Sequence, residues 1–391
     1  MGLRRLAVAL LTLVAVLLAA FAAFVAFAMV TPLAWDGPGR LGALALTLPL
    51  HLLAGTALAA VLWPAARALG AVLGARLFAF SAVLTLCMAL VPTLAIWTKA
   101  RALGVPLSLG EYAANARHLN AGPPQKQRTL VYGKTANGET LELDVWPTGR
   151  GDSGPLRPAM VLVHGGAWSF GHRSASPEWD RWLNGLGFEV FDAAYRLPPP
   201  ARWQDEVGDV KSALGWVAAH AAEYHLDPAR ISVMGSSAGA NLALLAAYSR
   251  GDAALPPSTD VPLVAVHSVV SFYGPSDLAR FYRDCPSAAY LRPLIEAYVG
   301  GAPDALPDRY RVLSPLAHVS ADSPPTVSFL GGSDRLVAPA QVEALDAALA
   351  RAGVAHETVL LPAQDHGFDV FWGGFGTQLA RAKLQAFLRS H

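Results

Sequence analysis

Ser237 sits in Gly235-Ser236-Ser237-Ala238-Gly239, a Gly-x-Ser-x-Gly pattern placed directly after the apolar run Ile231 to Met234 and directly before a helical stretch, Ala238 to Tyr248. A serine hydroxyl attacks a carbonyl poorly unless it is exposed and beside a base. A tight strand-to-helix turn with small flanking residues pushes it out of the carboxyl edge of a sheet. The chemistry indicated is acyl transfer through a covalent serine intermediate. Taken alone the pattern is also an ordinary Gly/Ser-rich turn; its position between strand and helix is what argues for catalysis.

Acyl transfer builds negative charge on a carbonyl oxygen, and His164-Gly165-Gly166-Ala167-Trp168 follows the apolar run Met160 to Val163 at once. Backbone N–H groups fixed in a glycine loop can point at that oxygen without side-chain clash. Gly165 and Gly166 are the candidate oxyanion donors, with the N–H of Ala238 as the third, at a helix amino terminus whose dipole favours an anion. His164 is read as a brace for this loop, and Trp168 as a substrate-binding residue.

The serine proton needs a base. His366 follows the apolar run Thr358 to Leu361, within Gln364-Asp365-His366-Gly367-Phe368, where a loop at a strand's carboxyl end can bring an imidazole of near-neutral pKa toward the serine. The other histidines of this half, such as His172, His220, His267 and His318, fall in predicted helices or strands, or out of order. The orienting carboxylate is expected between serine and histidine in the chain. Asp334, in Gly331-Gly332-Ser333-Asp334 just past the run Thr326 to Leu330, fits best; Asp277 is the alternative. Asp365 adjoins His366 too closely to orient it, and Asp205 and Asp209 read as solvated or structural.

These loops must be carried by a sheet. Thr129 to Gly133 and Leu141 to Trp146 read as an opening antiparallel pair, and Phe188 to Ala193 and Val264 to Phe272 complete the set of short apolar runs. Helical patterns lie at Gln204 to Tyr224, Pro339 to Ala352 and Thr377 to Leu388. Strand-helix alternation predicts an α/β fold, a mostly parallel sheet with helices on both faces. Leu278 to Val312, with Phe281, Tyr282, Tyr290, Tyr298 and Tyr310, serves either as a cap over an acyl pocket or as core.

The amino-terminal part has a different composition. Uncharged apolar stretches run over about residues 6–30, 41–63 and 77–97, bounded by arginines and lysines. Each meets the roughly 20 residues a transmembrane helix requires, so three spans are expected. A cleaved signal peptide is the alternative for the first, yet its apolar run exceeds the roughly 7–15 residues of such a region. Ser108 and Glu111 form a Ser-x-x-Glu capping pattern, and Asn120 to Gln127, with Pro123 and Pro124, reads as a boundary. The expected division is a membrane anchor over 1–104, a linker with a short amphipathic helix over 105–127 and a catalytic domain over 128–391. With the amino terminus inside, an integral, multi-pass plasma-membrane protein would present the catalytic domain on the outer face. Arg4, Arg5, Arg67 and Arg76 then lie inside, against Arg40, Lys99, Arg101 and Arg117 outside.

With 30 basic and 29 acidic residues the charge footprint of a nucleic-acid binder is missing. Two cysteines, Cys87 and Cys285, exclude a Cys-based zinc site. The spans carry no acidic or basic residue and His51 as their one imidazole, which argues for anchoring rather than transport.

Taken together, the chain resembles the hormone-sensitive-lipase-like branch of α/β-hydrolases, particularly esterases carrying His-Gly-Gly-x-Trp, a group similar to kynurenine formamidases and isoprenylcysteine methylesterases. The resemblance runs from about Arg128 to the end. Beside the motifs above it includes Tyr195-Arg196-Leu197, Asp209-Val210-Lys211 with Trp216, Asp227-Pro228-Ala229-Arg230-Ile231 and Ser314-Pro315-Leu316. It implies a Ser237, Asp334, His366 triad and an oxyanion hole of Gly165, Gly166 and Ala238. The expected chemistry is a two-step hydrolysis of carboxylic esters that requires no metal or cofactor, and the three-span anchor beside an acyl pocket suits lipid-derived esters as well as small soluble ones. Ala167 and Trp168 depart from the His-Gly-Gly-Gly of the lipase members, and the apolar amino-terminal region lies outside the resemblance. Amide or formamide hydrolysis is the alternative within enzymes; a non-catalytic, membrane-tethered binding module is the alternative outside them.

Overall fold

The computed structural model describes residues 2–116, 128–151, 154–200 and 202–391. The expected boundary at Asn120 to Gln127, and Arg117, lie outside those residues.

The amino-terminal part is helical: α1 (Gly2–Val30), α2 (Gly37–Thr47), α3 (Leu53–Leu69) and α4 (Val72–Ala102). The stretch expected as one span over 41–63 is divided. Leu48 precedes Pro49, and a residue before proline is pushed out of the helical region; Leu48 has φ −117° and ψ 48°. Residues 49–52 then form a 3-10 turn that runs into α3, so among the described residues the segments long and apolar enough to cross a membrane are Gly2–Val30, Pro49–Leu69 and Val72–Ala102. Where these helices meet, the buried residues are mostly small: Ala15, Ala59, Ala66, Ala71 and Ala75, with Phe78. Leu10, Leu17, Phe21, Phe27, Val83 and Leu94 face outward. Small residues inside and large apolar ones outside is the arrangement that suits packing in lipid, where close backbone approach replaces hydrophobic burial.

The remainder is built on one eight-stranded sheet: β1 (Arg128–Lys134), β2 (Thr140–Trp146), β3 (Arg157–Val163), β4 (Glu189–Ala193), β5 (Leu226–Ser236), β6 (Val269–Phe272), β7 (Thr326–Gly331) and β8 (His356–Leu361). Their spatial order is β1-β2-β4-β3-β5-β6-β7-β8. β2 runs antiparallel to β1 and β4, and every other pairing is parallel. The helices of this part are α5 (Leu109–Ala114), α6 (Pro177–Leu186), α7 (Asp205–Ala219), α8 (Ala238–Tyr248), α9 (Leu278–Asp284), α10 (Ala288–Val299), α11 (Pro307–Val312), α12 (Pro339–Ala352) and α13 (Phe375–Ser390). The chain leaves β3 toward β4 on one side and returns to β5 on the other, so the strand order reverses between β3 and β5. In open α/β sheets the crevice at such a switch point, outside the carboxyl ends of the strands, is where ligands bind. The glycine loop follows β3 and Ser237 follows β5.

The two parts share one apolar core. Ile96 and Ala100 of α4 and Tyr112 of α5 belong to the same buried cluster as the sheet. Trp97 meets Phe375 edge-on at 5.6 Å. Ser108 accepts the N–H of Glu111 at 3.0 Å, the cap expected from the sequence, and Gln378 brackets Ser108 through its backbone N–H (2.7 Å) and its carbonyl (3.1 Å). The sheet-bearing part therefore sits at the end of the helical bundle where α1 ends, α3 begins and α4 ends.

Candidate active site

Ser237 occupies the turn between β5 and α8 with φ 54°, a left-handed conformation that a non-glycine residue adopts only where its surroundings impose it. Those surroundings are specific. Its N–H donates to the Phe272 carbonyl at 2.8 Å, and its own carbonyl accepts from Ala240 and Asn241 at 3.0 and 3.1 Å. A Cβ on Gly235 would collide with the carbonyl of Gly239, and one on Gly239 with the carbonyls of Val163 and His164. Both glycines of the motif are thus required by close backbone approach, and the serine side chain is turned out of the sheet edge.

His366 Nε2 lies 3.0 Å from Ser237 Oγ, and His366 Nδ1 lies 2.9 Å from Asp334 Oδ2. Asp334 Oδ1 accepts the backbone N–H groups of Leu336 and Val337 at 2.8 and 2.7 Å, which fixes the carboxylate and leaves Oδ2 for the imidazole. The carboxylate is fully buried and the imidazole nearly so. The structure thus brings the three sequence-predicted residues into one continuous chain of hydrogen bonds from β5, β7 and β8. Asp277 is elsewhere engaged: its side chain caps α9 by accepting the N–H of Arg280 at 2.9 Å.

The loop after β3 lies against this chain. A Cβ on Gly165 would stand 2.9 Å from the Ser236 carbonyl and 3.3 Å from Ser237 Cβ, so the loop backbone passes close to the serine. Among the described residues no backbone carbonyl takes the N–H of Gly165, Gly166 or Ala238. His164 is buried, its ring stacked on Tyr195 at 4.3 Å and its Nδ1 2.8 Å from the Gly165 carbonyl. Burial pushes its pKa down to about 4, so it is a neutral ring near pH 7 and serves as a brace.

A cavity of about 230 Å³ opens beside Ser237, and Trp168 lines it. Trp168 has φ 58° and lies flat on Tyr298 at 5.2 Å between ring centres. The aromatics of the 278–312 segment divide between the two expected roles. Phe281 and Tyr290 line the cavity, whereas Tyr298 and Tyr310 are fully buried core.

Two neighbours, Tyr273 and Trp35, were not singled out by the sequence. Tyr273, φ 43°, packs its ring 4.4 Å from His366 and donates to Asp369 at 2.5 Å. Its one signal was its place at the end of β6, the strand beside the serine. Asp365 does not orient His366 but accepts its backbone N–H (2.8 Å) and that of Arg335 (3.0 Å), and pairs with the Arg335 guanidinium. Of the two readings given to Asp209 the structural one holds: it is buried and held by Arg196 through both oxygens. Trp35, from the connection between α1 and α2, also lines the cavity; nothing in the sequence indicated that this segment reaches the serine.

The sequence matches the family described as BD-FAE over residues 143–349, more than half of the chain. It is 34% identical over 265 residues to a protein named Esterase LipQ from Mycobacterium tuberculosis, covering 66% of this chain and 58% of that one. It is also 34% identical to a protein named Probable carboxylic ester hydrolase LipM of the same organism, covering 60% of this chain and 54% of that one. The chain thus spans little more than half the length of these relatives. Among solved structures, the apo form of Thermogutta terrifontis esterase 2 superposes with a TM-score of 0.55 at 28% identity, covering 68% of this chain and 94% of that one.

Proposed function

We propose, from the premise that the chain belongs to the BD-FAE family, that it hydrolyses carboxylic esters through an acyl-enzyme on Ser237. The observation that carries this reading is the placement of His366 between Ser237 Oγ and Asp334 at 3.0 and 2.9 Å, beside the N–H groups of Gly165, Gly166 and Ala238, which no backbone carbonyl takes among the described residues. His366 Nε2 removes the Ser237 proton as Oγ bonds to the ester carbonyl carbon. Asp334, held by two backbone N–H groups, keeps Nδ1 protonated and stabilises the imidazolium. The oxyanion is received by the N–H groups of Gly165, Gly166 and Ala238. His366 then returns the proton to the leaving alkoxide, which departs as the alcohol. A water, deprotonated by His366, attacks the acyl-enzyme, releases the acid and restores the Ser237 hydroxyl. The esterase and ester-hydrolase names of its relatives favour the ester over the amide.

Gly2–Val30, Pro49–Leu69 and Val72–Ala102 anchor the enzyme in a membrane, supported by their length, their apolar composition and their outward-facing large side chains. The orientation proposed places Arg4, Arg5, Arg67 and Arg76 inside, and Arg40, Lys99 and Arg101 with the catalytic part on the outer face. Protease added to intact cells should then digest the hydrolase part; digestion only after permeabilisation would reverse the orientation.

The activity is tested with p-nitrophenyl acetate. The wild-type protein should hydrolyse it, and Ser237→Ala should abolish turnover while keeping the fold; a variant active at the wild-type rate would remove Ser237 from the mechanism.

A further inference from the structure

Trp35 lies five residues beyond the end of α1, yet its ring is edge-on to the His366 imidazole at 6.2 Å and 79° between planes. With Ser237, Trp168, Tyr290 and Leu291 it encloses the cavity of about 230 Å³. The segment that carries Trp35 is held at several independent points. The Trp35 N–H donates to Ser287 Oγ at 2.8 Å, and Ser287 Oγ donates to the Arg335 carbonyl at 2.7 Å. The Arg335 guanidinium inserts into the end of α1, where Nη2 donates to the carbonyls of Ala28 (2.6 Å) and Met29 (3.0 Å). The last carbonyls of a helix have no partner within it, so this clamp satisfies groups that would otherwise be orphaned. Gly42 of α2 permits the close approach: a Cβ there would collide with the Ala28 carbonyl and stand 3.1 Å from Arg335 Nη2. On the outer side the Arg40 guanidinium covers the Tyr290 ring at 5.7 Å.

Resting on the esterase reading above, we propose that the connection between α1 and α2 is a wall of the acyl pocket. In this arrangement Trp35 is the residue that restricts the enzyme to esters of short acyl groups. The space beside Ser237 is divided: the cavity of about 230 Å³ that Trp35 lines adjoins one of about 300 Å³ that shares Gly165, Gly166, Phe170, Ser236 and Tyr273 but not Trp35, and the indole is the member of the first lining contributed from outside the α/β fold. Removing it opens the pocket toward the helical bundle without touching the hydrogen-bonded residues. The helical part would then contribute to specificity as well as to anchoring, through a side chain held by the Ser287 and Arg335 chain.

The test uses the full chain in phosphatidylcholine vesicles, with p-nitrophenyl acetate and p-nitrophenyl octanoate as substrates and Ser237→Ala as control. Wild type should favour acetate, and Trp35→Ala should raise the octanoate-to-acetate ratio of kcat/KM by about tenfold, the size of discrimination an apolar pocket draws from small changes in chain length. Trp35→Phe should retain most of the wild-type preference. Stoichiometric labelling of each variant by a fluorophosphonate shows that the serine site is intact, so a shifted ratio reports the pocket rather than misfolding. An unchanged ratio in a labelled Trp35→Ala protein, or a wild type that takes octanoate as readily as acetate, overturns the role of Trp35 alone. Hydrolysis that persists in Ser237→Ala overturns the reading beneath it and this one together.

Discussion

Arg335 and Asp365, each the neighbour in sequence of a residue in the hydrogen-bonded chain, form a buried ion pair that ties the Asp334 loop to the His366 loop. Asp365 also accepts the N–H groups of both Arg335 and His366, so two loops from different strands are registered through one carboxylate. Burial raises the pKa of Asp365 to about 6, against the lowering effect of the guanidinium, which makes the pair dependent on its partner.

Removing one partner of such a pair leaves an uncompensated charge. Arg335→Ala should therefore lower stability by about 3–5 kcal/mol, read as a drop in the thermal unfolding midpoint of the detergent-solubilised protein. Adding Asp365→Asn to that variant should recover part of the loss. A double variant no more stable than Arg335→Ala would show that the buried carboxylate is not the source.

Gly239→Ala places a methyl against the carbonyls of Val163 and His164, both of them backbone atoms that cannot swing aside. Ester turnover should fall to background, and the variant should resist fluorophosphonate labelling because the serine turn is displaced. Retained labelling at the wild-type rate would show that the turn tolerates the extra atom.

Asp334→Asn keeps the shape of the side chain but not its charge, so His366 is held in the wrong tautomer. The expected loss in kcat is about 10⁴-fold, with KM for p-nitrophenyl acetate little changed. A loss confined to KM would assign Asp334 to binding instead.

The buried ring of His164 gives stability a definite pH dependence. Its folded pKa, about 4, lies below the ordinary value of 6.5, so the unfolded chain binds a proton that the folded chain refuses between those limits. The contribution is present above pH 6.5 and is lost as pH falls toward 4, reaching at most about 3 kcal/mol. Burial shifts the carboxyls of Asp365 and Asp192 upward, and their contributions have the opposite sign. The comparison is therefore between wild type and His164→Asn: the fall in unfolding midpoint from pH 6.5 to 4 should be smaller in the variant, and parallel profiles would contradict the assignment.

Much of this was legible because local signals and the fold agreed. The helix at Ala238–Tyr248 and that at Pro339–Ala352 have the predicted bounds, since the first follows a glycine-flanked turn and the second opens on proline at its first position. The Ser237 loop was indicated by its Gly-x-Ser-x-Gly pattern between strand and helix, and the Asp334 and His366 loops by their chain order and their places just past apolar runs. The reading fell short where pattern and packing part company. Val264 to Phe272 is strand only over Val269–Phe272, because apolarity does not reveal where ladder pairing stops. The second apolar stretch divides at Leu48, because a reading by apolar composition alone passes over the restriction that Pro49 places on the residue before it. Trp35 could not be placed, because its contact with His366 spans more than 300 residues and depends on how two helices end.

The central claim is that Ser237 forms the covalent intermediate, and the direct measurement is mass spectrometry of the full-length protein after reaction with a fluorophosphonate, with the modified residue located by peptide mapping. One adduct per chain, on Ser237, is expected, with ester hydrolysis lost in proportion to its formation and no adduct on His366→Ala at the same reagent exposure. An adduct on any other residue, or full ester turnover by a protein carrying the adduct on Ser237, would contradict the account.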